Sequence, residues 1–229
     1  MSQPKSTPPS PPPHSSASQG KVVSAKPIVA FFLKVILFYA LLMVPWPGLM
    51  TAYGYLFRAC GNAVFRTFGA TGRVYFTPIS PAPTGKDAKD TVATLENIKT
   101  RGARGTMEMN SRLMGYLPTA FAVALILATA VPWARRSWAL LGGILLMSGF
   151  AGLELALRLL DAFSDQNVLA VYSLGPAAKG MVVILLKVLA MSPVTAYIAP
   201  IFVWILVTFR RGDWEKLLTT PITSPARGT

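Results

Sequence analysis

Four long apolar runs constrain this chain more than any other feature. The first reads "IVAFFLKVILFYALLMVPWPGLM" over residues 28–50, and others follow at 113–133, 138–160 and 181–209. About twenty consecutive apolar residues suffice for a helix to cross a bilayer. Only 14% of the chain is charged, against about a quarter in soluble domains. A soluble surface would need charges that this sequence does not hold. The fold class expected is therefore an all-α polytopic membrane protein with about four transmembrane helices. Lys34 lies near the start of the first run, where its stem can snorkel to the headgroups. Pro45, Trp46 and Pro47 mark the far interface.

Between the first two runs lies a stretch of different character. Residues 51–72 read "TAYGYLFRACGNAVFRTFGATG". Tyr53, Phe57, Cys60, Val64 and Phe68 recur at helical spacing, while Arg58, Asn62 and Arg66 line another face. That pattern predicts one amphipathic interfacial helix. Residues 73–112 carry weakly alternating segments, "RVYFTPIS", "DTVATLENI" and "GTMEMNSRL", separated by Gly, Pro and Lys/Asp clusters. They predict a small extracytoplasmic β insert of two or three strands, supported by the helix before it.

Residues 1–27 are rich in Pro and Ser and read as a disordered cytoplasmic tail rather than a cleavable signal. Residues 210–229 form a second cytoplasmic tail. Basic residues set the orientation. Lys21, Lys26 and Lys34 flank the first run, Arg135 and Arg136 lie between the second and third, and Arg210 and Arg211 follow the fourth. All three groups fall on one side if there are four spans. The expected location is the cell (inner) membrane, multi-pass, with both termini cytoplasmic. The net charge of +13 raises the possibility of nucleic acid, but no basic helix gathers the charge on one face. The partners expected are the lipid bilayer and other membrane proteins, not nucleic acid.

Few chemistries fit. The chain has one cysteine and one histidine, and His14 lies in the Pro/Ser tail. No histidine-centred catalysis or multi-histidine metal site follows, and no cofactor is expected. Cys60 falls on the apolar face of its predicted helix, which suits packing better than a reactive thiol. One line of charge stands out. Glu154, Arg158, Asp161 and Asp165 are spaced by four, three and four residues, which places them on one helical face. Such a stripe either neutralises itself and locks helices together, or leaves Arg158 to hold an anion.

From Thr106 to Leu160 the pattern resembles the exosortase/archaeosortase membrane transpeptidases. The segments that carry it are "TMEMNSRLMGYLPTAFAVALILA", "ARRSWALL" and "LELALRLL". The resemblance implies a protein that processes or binds membrane-anchored sorting-signal proteins on the outer side. It matches Arg158 to the family arginine. The nucleophile position falls on Asn110, followed by Ser111, and asparagine cannot attack as a thiolate does. No histidine exists in the loop after the third run or in the fourth, and Cys60 is out of register. The candidates implied for a site are Arg158, Cys60, Asn110 and Ser111. The function expected is a non-catalytic or divergent relative. An accessory or assembly subunit of a larger membrane complex is the first alternative. A small transporter is the second, resting on Lys187 and the breaks at Pro193 and Pro200.

Overall fold

The structure, a computed structural model, describes residues 26–44, 46, 48–80, 89–100, 103–164, 171–189 and 193–209. Helix α1, Lys26–Met43, is followed by α2, Leu49–Phe65. A four-stranded antiparallel sheet comes next: β1 Thr67–Phe68, β2 Gly72–Pro78, β3 Thr91–Asn97 and β4 Ala103–Met109, paired in chain order. A π-turn over Arg112–Tyr116 leads into α3, Leu117–Ala128. Then come α4 Trp133–Ser164, α5 Pro176–Leu189 and α6 Pro193–Thr208.

Two of these helices, α1 and α4, are long and apolar enough to cross a membrane. On α1, Ile28, Val29, Phe32, Leu33, Ile36 and Leu37 are all more than half exposed. Apolar exposure on that scale is foreign to a protein surface in water. Helix α3 lies centrally, packed on α1, α4 and α6. Alanines make this possible: Ala120, Ala122, Ala124 and Ala128 are buried and let neighbouring backbones approach. The Tyr116 hydroxyl donates to the Leu42 carbonyl at 2.6 Å, joining the end of α1 to the start of α3. At the opposite end, Arg135 donates to Thr208 at 2.6 Å and Arg136 to Thr129 at 3.1 Å. These guanidinium groups satisfy carbonyls left over at helix C-termini. Helices α1 and α4 therefore both run from the basic end toward the sheet.

The expected four-span, all-α membrane fold is not what the chain adopts. The architecture is mixed α/β, with two helices of crossing length rather than four. Apolar runs alone do not fix the length of the helix each one forms. The second run yields a shorter apolar helix, Arg112–Ala128, which stops where Thr129 turns extended. The fourth is divided into α5 and α6, with Pro193 opening the second piece. The sheet is also a major part of the core. Val74, Phe76, Ala93, Leu95 and Met109 of the strands bury against Leu155, Leu159 and Phe163 of α4. The amphipathic helix ends at Phe65, seven residues short of the expected boundary, and β1 begins at Thr67. The two tails fall almost wholly outside the described residues.

Strand β3 shows why the sheet docks as it does. Thr91, Ala93, Leu95 and Asn97 are buried while the residues between them are half-exposed, the two-residue period of a one-sided sheet. Helix α2 is bolted to β2 by one side chain. Asn62 accepts from the Phe76 N–H at 2.8 Å and donates to its carbonyl at 3.0 Å. Beyond Arg73, no strand pairs with the outer side of β2 among the described residues, so the carboxamide takes the place of a strand. Gly61 makes the approach possible, since a Cβ there would sit 2.9 Å from the Phe76 ring. Asn62→Ala should therefore cost about 1–3 kcal/mol, the usual penalty for leaving a buried peptide unsatisfied. A thermal melt in detergent checks it, and an unchanged midpoint would contradict this role for Asn62.

Candidate functional site

Between α2 and α4 lies an apolar groove of about 430 Å³. From α2 it is lined by Tyr53, Leu56, Phe57, Cys60, Gly61, Val64 and Phe65. From α4 it is lined by Ser148, Gly149, Ala151, Gly152 and Leu155. Leu155 and Phe57 also belong to the sheet core, so the groove begins where the sheet stops. A Cβ built at Gly149 or Gly152 meets nothing within 4 Å. At these two positions the α4 wall is bare backbone facing open space.

Cys60 is exposed on the α2 wall and forms no disulfide. None of the lining residues is a histidine or a carboxylate. A nucleophilic thiol needs a base or a cation to form its thiolate, and the groove supplies neither.

Behind Tyr53 lies a polar cluster. The Ser111 hydroxyl donates to Asp90 Oδ2 in a short contact, and the Ser111 N–H donates to Asp90 Oδ1 at 2.8 Å. Both carboxylate oxygens are thereby spent on the first residue of the helical segment. Asn110 accepts from the Leu113 N–H at 3.1 Å, another free donor of the same helix start. Ser111 is only 2% exposed. The arrangement caps a helix and joins it to the loop before β3; it does not present a nucleophile. Arg58 and Asp90 both crowd over Gly54, whose built Cβ would lie 3.2 Å from Arg58 Nη1 and 3.5 Å from Asp90 Oδ2.

Tyr53 connects cluster and groove. Its ring meets Tyr116 edge-on at 5.4 Å. Its hydroxyl occupies the place a side chain at Gly115 would need, so any larger residue at 115 would displace Tyr53. Burial pushes the phenol up to about 12, with the nearby Cys60 and Asp90 adding in the same direction. Its native pKa is raised, so the stability it contributes is whole below about pH 10 and is lost as pH climbs toward 12. Tyr53→Phe should flatten the fall in melting temperature between pH 10 and 12. An identical alkaline fall in both proteins would contradict the buried phenol.

The charged stripe lies elsewhere on α4. Arg158 donates to Glu154 Oε1 through Nη2 at 2.8 Å and Nε at 3.2 Å. Glu154 is 9% exposed. Asp161 offers its backbone carbonyl to the Ser164 hydroxyl, and Asp165 lies outside the described residues. The structure thus joins Ser111 to Asp90, uses Asn110 to cap the same helix start, sets Cys60 on the groove, and binds Arg158 to Glu154. Sequence reasoning missed Asp90 and the glycines of α4. Asp90 lies 21 residues from Ser111, and no local pattern signals the contact. Gly149 and Gly152 were legible as a small-residue pair but were absorbed into an apolar run.

Compared with protein-family models, curated proteins and solved structures, the chain gives no match.

Proposed function

We propose that this chain is a non-catalytic membrane protein of the exosortase/archaeosortase type that holds the apolar anchor helix of a sorting-signal protein. The single observation that supports it is the groove between α2 and α4, with Gly149 and Gly152 forming an open wall. Small residues let a second helix approach closely in a bilayer, where packing rather than hydrophobicity drives association. The non-catalytic part of the reading rests on three engagements. Asn110 and Ser111 start a helix, Arg158 is held by Glu154, and Cys60 has neither base nor cation in its groove.

In this reading α1 and α4 cross the inner membrane, and the protein is multi-pass. The ends marked by Lys26 and by Arg135 and Arg136 face the cytoplasm, because basic flanks stay inside. The sheet is then extracytoplasmic, on the side where sorting signals are handled.

The test fills the groove without disturbing the fold. Gly152→Leu has room for its side chain and improves helix propensity. It should keep its melting temperature yet lose retention of a reporter bearing a C-terminal motif, apolar span and basic end. Cys60→Ala should retain that activity. Wild-type retention by Gly152→Leu would end the groove reading, and loss of activity in Cys60→Ala would restore a thiol mechanism.

A further inference from the structure

Strand β4 is the outer strand of the sheet. It pairs with β3 along one edge, and no strand pairs with its other edge among the described residues. Alternate residues of its seven, ARGTMEM, turn their backbone groups toward that edge, and no proline or bulge blunts it. On its exposed face stand Arg104, Thr106 and Glu108. Arg104 reaches Glu96 at 3.3 Å and Glu108 reaches Lys89 at 3.2 Å.

We propose that this edge pairs with the same edge of a second copy, joining two sheets into one antiparallel eight-stranded sheet. Charge and shape together select a single register. An antiparallel edge pair with two-fold symmetry keeps the same faces up in both copies, so exposed residues must oppose exposed residues. Centred on Arg104 or on Glu108, the pairing sets like charges opposite each other. Centred on Gly105 or Met107, it leaves the charges opposite threonine or beyond the partner strand. Centred on Thr106, it pairs all seven residues and sets Arg104 opposite Glu108 of the other copy, twice. The existing contacts then extend into a row of alternating sign: Glu96, Arg104, then Glu108 and Lys89 of the second copy. On the other face the same register sets Gly105 opposite Met107 and Ala103 opposite Met109, small against large. Opposite charges directly across a sheet stabilise it, and like charges do the reverse.

The experiment uses the full chain with Cys60→Ala and Thr106→Cys, in cells and in detergent. Facing residues at the two-fold lie about 4.5–5.5 Å apart between Cα atoms, which is disulfide range. Mild oxidation should give a covalent dimer, whereas Arg104→Cys in the same background should give none. In the Thr106→Cys background, Arg104→Glu and Glu108→Arg should each abolish the cross-link alone. Mixed, the two variants oppose unlike charges at both sites, so the cross-linked hetero-pair should return to wild-type yield. That return also establishes that both variants fold. No dimer from Thr106→Cys, equal yields from Arg104→Cys, or a mixture that stays monomeric would overturn the proposal.

Discussion

Phe163→Ala should be the most damaging single substitution in the sheet-bearing half of the molecule, costing about 3–5 kcal/mol as large aromatic truncations in cores do. Phe163 is fully buried. It stacks on Phe68 at 5.6 Å and belongs to the cluster that holds Val74, Leu95 and Leu159. Val171 and Tyr172 also pack at the edge of the same cluster. With about 2–4 °C of melting shift per kcal/mol at this chain length, the midpoint in detergent should fall by roughly 10 °C. Hydrogen exchange should quicken in β2 and β3 while α3 stays protected. A uniform change in all elements would show that the sheet and the helical bundle melt as one unit.

The second large effect concerns Glu154 and Arg158. Removing one partner of a buried pair typically costs about 3–5 kcal/mol. Here the Arg158 side chain is 35% exposed, and water access lowers the expected loss for Arg158→Ala to about 1–3 kcal/mol. Most of that loss is the carboxylate left behind at 11% exposure. Glu154→Ala/Arg158→Ala should therefore recover part of it, a coupling that a double-mutant cycle reads directly. If the two losses instead add, the pair contributes nothing and the stripe is a solvated helix end. The same three variants separate structure from function: reporter retention should follow stability, since Arg158 is engaged within its own helix.

Much of this was legible in short-range pattern. The four-residue spacing of Glu154 and Arg158 foretells their contact, because it is a helical neighbour distance. Alternation in "TVATLEN" corresponds to the alternate burial of β3, and the recurrence of Tyr53, Phe57, Cys60 and Val64 on one face corresponds to the α2 wall of the groove. What was not legible depends on distance along the chain. Asn62 meets Phe76 across 14 residues and Asp90 meets Ser111 across 21; neither residue type at either spacing is diagnostic. The error in fold class has a different origin. Apolar content reports that a segment avoids water, but not whether lipid or protein covers it. The run at 113–133 contributes a helix so enclosed by its neighbours that Ala122, Ala124 and Ile126 are fully buried.

On the proposed function, the α2–α4 groove receives an apolar helix. A photoreactive benzoylphenylalanine at Val64, which lines the groove, and one at Leu153, which is exposed on α4 away from it, test that claim side by side. Irradiation of cells holding a reporter with a motif, apolar span and basic end should give a Val64 adduct that maps to the reporter's span. Gly152→Leu should remove the adduct, and Leu153 should give none. Equal adducts from both positions, or a Val64 adduct indifferent to Gly152→Leu, would contradict the account.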